Sequence, residues 1–405
     1  MADRADIDVV KERVCHEVDR RAGALVDASR QIHAHPELGF GETFAHGLLT
    51  GLIATDGLEP ERGAFGLDTA FAARAGSTGP VIAVLCEYDA LPGLGHACGH
   101  NIIATAGLGA GLAAAAMADE LGGRLLVLGT PAEEGGGGKQ LLADEGAFAG
   151  VDAAMMIHPA GLDLSGMHTL AVRQVFADSR GVAAHASAAP HAGRNALDAA
   201  VLGYVGVAAL RQHIRSTERI HGIFTKAGDK PNIVPAEAQA LWFIRSDDLT
   251  TLEALSERVD ACLRAGAAAA GCELVLHEEA PRYADVVHNE PMGDLYIANA
   301  ARLGRTVQDH RTVPGVVGST DMGNVSQLVP SIHPMIAASP PDVPIHSTEF
   351  ERWAGSADGD RAVLDGAKAL AMTVVDLWLA PGAIDRARAA FEGSAPSTDP
   401  GPPAS

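Results

Sequence analysis

From Pro80 to Ile157 the hydrophobic pattern changes period several times. Val81 to Cys86 is a continuous apolar run, Ile102 to Leu121 is long and helical, and Arg124 to Leu128 is a second short apolar run. Lys139 to Phe148 reads as a helix and Ala153 to Ile157 as a third buried strand. Short runs without polar interruption suit strands covered on both faces, so the stretch predicts a βαβαβ unit with parallel strands. Between about Ala171 and Glu278 the rhythm differs. Strand-like Val172 to Ala177, a helix from Asn195 to His213, strands at Ile220 to Lys226 and Ala238 to Arg245, a helix from Leu252 to Ala269 and strand Glu273 to His277 give βαββαβ, the ferredoxin-like order. Leu295 to Leu303, Pro334 to Ala338 and Arg361 to Trp378 then return to the first alternation. The pattern therefore predicts an α/β protein with a mostly parallel mixed sheet, formed by 1–170 and 286–392, into which a second domain, 171–285, is inserted. The segment 393–405, rich in Pro, Ser and Ala, is expected to stay disordered.

At 405 residues the chain is large enough for two cores. A formal net charge of −21 repels phosphate backbones and anionic lipids, so neither nucleic acid nor a membrane surface is an expected partner. The longest apolar stretch, Ile102 to Met117, is shorter than the roughly 20 residues a bilayer span needs. Five scattered cysteines, Cys15, Cys86, Cys98, Cys262 and Cys272, with no signal peptide before them, point to free thiols in a reducing cytoplasm.

The predicted strand ends carry the chemistry. Gly95-His96-Ala97-Cys98-Gly99-His100-Asn101 follows the first strand, Glu133-Glu134 the second and His158 the third, and His346 lies late in Pro-Ile-His-Ser-Thr-Glu-Phe. In open α/β sheets, segments distant in sequence meet beyond the carboxyl ends of the strands, so these residues are expected to form one site. Thiolate, imidazole and carboxylate together suit zinc, manganese or cobalt. An adjacent acidic pair beside an apolar strand is costly unless a cation compensates it. The pair can also divide its labour, with Glu134 as ligand and Glu133 taking a proton from the attacking water. Asp321, in Gly318-Ser319-Thr320-Asp321, reads either as a partner for a basic substrate side chain or as a helix cap. His213, His288 and His310 lie on polar stretches and read as solvated.

At these motifs the chain resembles the M20 metallopeptidase family, in its amidohydrolase branch, subfamily D. The resemblance runs over nearly the whole chain, through Ile32-His33-Ala34-His35-Pro36-Glu37-Leu38, Glu87-Tyr88-Asp89-Ala90-Leu91-Pro92-Gly93, His96-Ala97-Cys98-Gly99-His100-Asn101, Glu133-Glu134, His158-Pro159 and His346-Ser347. It implies a zinc-peptidase-like catalytic domain holding two divalent ions on Cys98, His100, Glu134, His158 and His346. Cys98 would be the bridge that other branches make with aspartate, and Glu133 the general base. It also implies that the inserted domain is a lid and homodimer interface, with His185 of Gly181-Val182-Ala183-Ala184-His185-Ala186 sent into the partner's active site to stabilise an oxyanion. The bland alternative for His185 is an ordinary loop residue. Asn232 and Arg194-Asn195 are weaker candidates for holding substrate, since turn formation and capping explain them equally well. Asn101 stands where the branch commonly has Asp, which puts a carboxylate role at that position in doubt.

Within the branch, the Glu87 to Ile102 run, Gly318 to Asn324 and Arg219-Ile220-His221-Gly222, with His221 as a further substrate contact, look most like cytoplasmic dipeptidases acting on basic dipeptides. The expected reaction is metal-dependent hydrolysis of the amide bond of a dipeptide or N-acyl amino acid. Aminobenzoyl-glutamate-type hydrolysis is the alternative. A silent small-peptide sensor would be expected to lack Glu133 or a ligand, and a structural zinc site would be closed and four-coordinate.

Overall fold

The computed structural model describes residues 4–313 and 317–394. By internal contacts these divide into two compact units, one drawn from the chain up to His168, from Val286–Val317 and from Asp321 onward, the other from Thr169–Asp285 with Gly318–Thr320.

The first unit is built on a six-stranded sheet in the order Glu61–Arg62, Phe71–Ala75, Arg124–Thr130, Val81–Glu87, Ala153–Met155, Ser331–Ile332. The last four strands run parallel, while Phe71–Ala75 lies antiparallel to Arg124–Thr130, so the sheet is mixed and mostly parallel. The third apolar stretch is shorter than its pattern predicts. Its strand stops at Met155, and His158–Ala160 forms a separate parallel pair with Met335–Ala337. The break falls opposite Pro334, which has no N–H to give the ladder although its carbonyl accepts from His158 N at 2.9 Å.

The helix after Val81–Glu87 spans His100–Ala115 and is buried along its whole length. It starts before Ile102, so a candidate ligand occupies its first turn, and it ends before Leu121. Met117 leaves helical geometry (φ −123°, ψ −4°), and Ala118–Leu121 is a separate turn. An all-round apolar helix needs neighbours on every side. Its glycines allow close approach: a Cβ at Gly107 would stand 2.4 Å from the Leu85 carbonyl, and one at Gly109 2.7 Å from Leu25. Leu25 belongs to the long helix Arg4–Ala34, which buries Val14, Val18, Leu25 and Ile32 along one stripe. That helix and Thr43–Thr55 are additional to the predicted elements. Gly393 and Ser394, placed in the expected tail, close the helix Ala383–Ser394, and the rest of that segment, 395–405, lies outside the described residues.

The second unit is a four-stranded antiparallel sheet in the order Glu273–His277, Ala171–Arg180, Glu237–Ser246, Arg219–Lys226, with helices Ala196–Leu210 and Leu249–Ala270. This is the expected ferredoxin-like order. Trp242, fully buried, anchors its core with Val175, Ile244 and Val259. Arg219–Lys226 is an edge strand. Among the described residues no single helix is long and apolar enough to cross a membrane.

Candidate metal centre

Strand Val81–Glu87 delivers two carboxylates at its carboxyl end. In extended chain, residues two apart share a face, so Glu87 and Asp89 both reach the imidazole of His100. Asp89 Oδ1 lies 3.0 Å from His100 Nδ1, and Asp89 Oδ2 accepts from Glu134 N at 2.9 Å. Glu87 Oε1 lies 2.9 Å from His100 Nε2. Gly99, between Cys98 and His100, has φ +77°, and a Cβ there would meet Pro159 Cγ at 2.5 Å. Only glycine fits that turn without strain.

The other contributors arrive on unusual backbone. Arg124–Thr130 leads into Ala132 at φ 57°, immediately before Glu133. His346 sits at φ 62°, its N–H bonded to Ala97 O at 2.8 Å, just before helix Thr348–Ala354, whose first turn Ser347 caps. Left-handed conformations at non-glycine residues cost about 1–3 kcal/mol each and persist where surrounding structure imposes them. Both flank the candidate chemistry.

These segments bring five side chains into two groups that share a member. Cys98, His100 and His158 form one, and Cys98, Glu134 and His346 the other, with the ligand atoms of each group within 4.8 Å of one another. Cys98 Sγ stands 3.3 Å from His158 Nε2 and 3.3 Å from His346 Nε2, while His346 Nε2 is 3.4 Å from Glu134 Oε1. The shared sulfur is what a bridge between two ions requires. Three buried atoms at the centre, Glu87 Oε1, His100 Nε2 and Glu134 Oε1, have no hydrogen-bond partner among the described residues. Buried polar groups without partners are rare in folded proteins, and a cation facing them satisfies all three. The residues therefore fit a pair of divalent ions. Exposure grades across the groups, from fully buried His100 to His346 with 49 % of its side chain exposed, so the centre opens on the His346 side.

Burial and charge oppose one another throughout. Burial would raise the Glu87 carboxyl, but Lys139 and then His100 hold it well below its ordinary value. Burial would lower His100, yet Glu87, Cys98 and Asp89 raise it well above the usual imidazole range. His158 is pushed down to about 4 by burial and by the neighbouring His100, which leaves a neutral imidazole with its Nδ1 against Pro159 O at 2.8 Å. Burial raises the Cys98 thiol; a coordinated cation reverses this, because a coordinating thiol loses its proton. The two glutamates diverge. Glu133 is raised well above the carboxylate range by burial and then by the negative charges of Glu87, Asp321 and Glu134. Glu134 is held below it, burial being outweighed by the His346 imidazole, whose Nε2 is 3.4 Å from Oε1, and by the field of His100. One neighbour favours the proton and the other the negative charge, the separation a base and a ligand need.

Residues 83–375 match the family model described as peptidase family M20/M25/M40. The chain belongs to that family. It is thus a hydrolase of peptide bonds. Among its relatives, the Xaa-Arg dipeptidase of Mus musculus is 38 % identical over 96 % of this chain and 93 % of its own length. One component of the p-aminobenzoyl-glutamate hydrolase from Escherichia coli is 37 % identical over 60 % of this chain and 54 % of that one. A dinuclear metal-binding M20 peptidase from Bacillus subtilis shares the fold, with a TM-score of 0.67 at 20 % identity over 89 % of this chain and 99 % of that one.

The remaining predicted residues of this M20 protein separate. In the inserted unit, His185, Arg194 and Asn232 belong to one loop cluster: Val182 pairs with Arg194, His185 with Ile233, and Ala186 N donates to Asn232 O at 3.0 Å. His185 is exposed, and its Nδ1 accepts from Ser187 N at 3.3 Å and Ala188 N at 3.2 Å. A neutral imidazole with Nδ1 so used carries its proton on Nε2, which leaves that N–H to donate outward. Asn195 is the helix cap its alternative reading expects, its Oδ1 accepting from Leu197 N and Asp198 N. His221 lies apart, on the edge strand, lining a hollow of about 410 Å³ with Tyr204, Arg211 and Glu218.

Asp321 requires a correction. It is fully buried and occupied by Lys139, whose Nζ donates to Oδ1 at 2.7 Å and whose backbone N donates to Oδ2 at 2.9 Å. It is buried away from any substrate and does not cap its own helix, Met322–Ser326, with its side chain; Oδ2 instead takes an N–H in the first turn of helix Gly138–Asp144. Asn101 is also structural: its Nδ2 donates to Ser29 Oγ and the Ala354 carbonyl, and the carboxylate orienting His100 comes from Asp89 instead. His288 and His310 are half-buried against each other, ring centroids 4.2 Å apart, and not solvated as their polar neighbours suggest. Sequence reasoning assigns no role to Asp89, Glu87 or Lys139. The Glu-x-Asp spacing at a strand end is the available signal for the first two.

Proposed function

We propose that this enzyme is a dinuclear metal-dependent dipeptidase or N-acyl-amino-acid amidohydrolase, with a basic dipeptide as its foremost substrate class. The observation that carries the reading is the pair of ligand groups sharing Cys98, with Glu133, raised by burial and neighbouring negative charge, beside them. Similarity to the murine Xaa-Arg dipeptidase over 96 % of the chain supports the substrate class, and the formal net charge of −21 favours cationic substrates. Hydrolysis of an aminobenzoyl-glutamate-like amide is the second reading, favoured by the bacterial relative of that name.

Cys98, His100 and His158 would hold one ion, and Cys98, Glu134 and His346 the other. Zinc, manganese or cobalt, when bound there, polarises the scissile carbonyl and lowers the pKa of water towards about 7. Glu133 takes the proton of the attacking water and later gives it to the leaving amine. Asp89 fixes the ring of His100 and the backbone of Glu134, so both ligand groups rest on one carboxylate. The five free cysteines fit a reducing, cytoplasmic location.

Metal analysis tests the centre. Close to two divalent ions per chain are expected, with activity lost to a chelator. A reproducible single ion that survives His346→Ala rejects the dinuclear reading. Release of amine from a panel of dipeptides and N-acyl amino acids, run separately with zinc and manganese, tests the substrate class.

The inserted domain is proposed as a homodimerisation lid. Its edge strand Arg219–Lys226 leaves Ile223 63 % exposed, and helix Ala196–Leu210 leaves Val205 57 % exposed. An unpaired edge beside apolar side chains favours association with a second copy. His185 would then donate its Nε2–H to the oxyanion in the partner's site. Mixing His185→Ala with Glu133→Gln chains tests this, because one site of the heterodimer holds both an intact Glu133 and a donated His185. Each homodimer should be nearly inactive, and the heterodimer should recover up to about half of wild-type activity if its sites act independently. Heterodimers that form yet recover nothing exclude donation in trans.

A further inference from the structure

We propose that Glu87 is a sixth ligand side chain, adding a carboxylate oxygen to the ion on Cys98, His100 and His158, and that Lys139 and Asp321 hold it in place. The inference rests on the dinuclear reading above and extends its ligand set.

Glu87 ends a fully buried strand, with 1 % of its side chain exposed. Its Oε1 and His100 Nε2 face each other at 2.9 Å, and neither atom makes any other hydrogen bond among the described residues. The tautomer of His100 explains why this matters. Nδ1 lies 3.0 Å from Asp89 Oδ1, so with an ion bound the single ring proton belongs on Nδ1 and Nε2 presents a lone pair. A carboxylate oxygen and a nitrogen lone pair at that distance repel each other unless a proton or a metal ion lies against both, and an ion bound there takes the place of the proton. Two ligand atoms about 2.0–2.1 Å from one ion at a right angle stand about 2.9 Å apart, so the spacing suits adjacent ligands of a single ion. Glu87 and His100 also fall together in one candidate group, whose third member is Glu133.

The surroundings hold Glu87 from the other side. Lys139 Nζ bonds Glu87 Oε2 at 2.5 Å and Asp321 Oδ1 at 2.7 Å, and Asp321 Oδ2 takes Lys139 N at 2.9 Å. One oxygen of Glu87 is thereby fixed, and the other is turned to His100. Once His100 is a neutral ligand, two carboxylates and one ammonium leave one negative charge in a region with no solvent access. Such a charge is costly to bury alone, and a divalent ion against Oε1 compensates it.

The test is a chelator titration of the zinc-loaded enzyme, with metal per chain measured at each step. In Glu87→Gln, which is isosteric, one of the two ions should leave at a chelator activity lower by on the order of 10²-fold while the other is unchanged. Glu87→Asp, which keeps the charge on a shorter arm, should fall between. The cobalt-loaded protein separates a ligand from a residue that only orients His100: losing a ligand lowers the coordination number and strengthens the visible d–d bands. Unchanged chelator profiles in Glu87→Gln or Glu87→Asp, or unchanged d–d bands, overturn the proposal. Should wild-type enzyme hold fewer than two ions, the dinuclear reading fails on its own, before either variant is compared.

Discussion

Glu133→Gln is expected to stop turnover, by on the order of 10²- to 10⁴-fold, while the protein keeps its fold and its metal. Glu133 belongs to neither group that shares Cys98, so removing its charge subtracts no proposed ligand from them. What it subtracts is a carboxyl group that burial and the charges of Glu87, Asp321 and Glu134 make unusually willing to take a proton. Gln keeps the shape and cannot accept that proton. Glu134→Gln, one residue on, should behave differently: it weakens the Cys98/Glu134/His346 group and should release an ion. Metal analysis of the two variants beside their rates decides the assignment, and equal metal loss in both rejects it. The backbone supports different roles for the neighbours. Ala132 at φ 57° sets the turn that precedes Glu133, and Asp89 Oδ2 holds Glu134 N at 2.9 Å.

Much of this site is legible in the sequence because parallel strands deliver their ends to one side. Val81 to Cys86 and Arg124 to Leu128 announce their strands through unbroken apolar runs, and the ligands follow those runs directly. Pairing partners are harder to read. The apolar pattern puts His158 at the end of a strand, whereas it opens a new one after a break set by a proline on the neighbouring segment. Asp321 shows a second limit. A sequence displays an acid in a polar loop, but only the fold reveals that Lys139, 182 positions away, meets it in the interior. Charge alone marks the residue as polar and therefore as surface, and a buried ion pair defeats that inference. The unpredicted helix Arg4–Ala34 is of another kind: its buried stripe of Val14, Val18, Leu25 and Ile32 is there to read in the helical period, diluted by many charged residues on its outer face.

Cys98→Ala should weaken the hold on both ions, most on the one bound by Glu134 and His346, because its sulfur is the one atom both ligand groups use. Without it the second group keeps only Glu134 and His346, fewer than the three protein ligands that open catalytic sites typically retain, while the first keeps His100 and His158 with the carboxylate proposed at Glu87. Affinity at both positions should fall by on the order of 10²-fold or more, and turnover should fall with it. Thermal unfolding supplies a readout independent of activity. An ion that binds only the folded state at about 100 times its Kd adds about 2.7 kcal/mol, so chelation should lower the wild-type melting temperature and leave that of Cys98→Ala nearly unmoved. Cys98→Asp is the informative companion, since a carboxylate can offer one oxygen to each ion. It should recover metal that alanine loses, although its shorter bonds must fit the 3.3 Å approaches of His158 and His346 now made to sulfur. A Cys98→Ala protein that keeps one ion at wild-type affinity would assign the sulfur to a single site and remove the bridge from the mechanism.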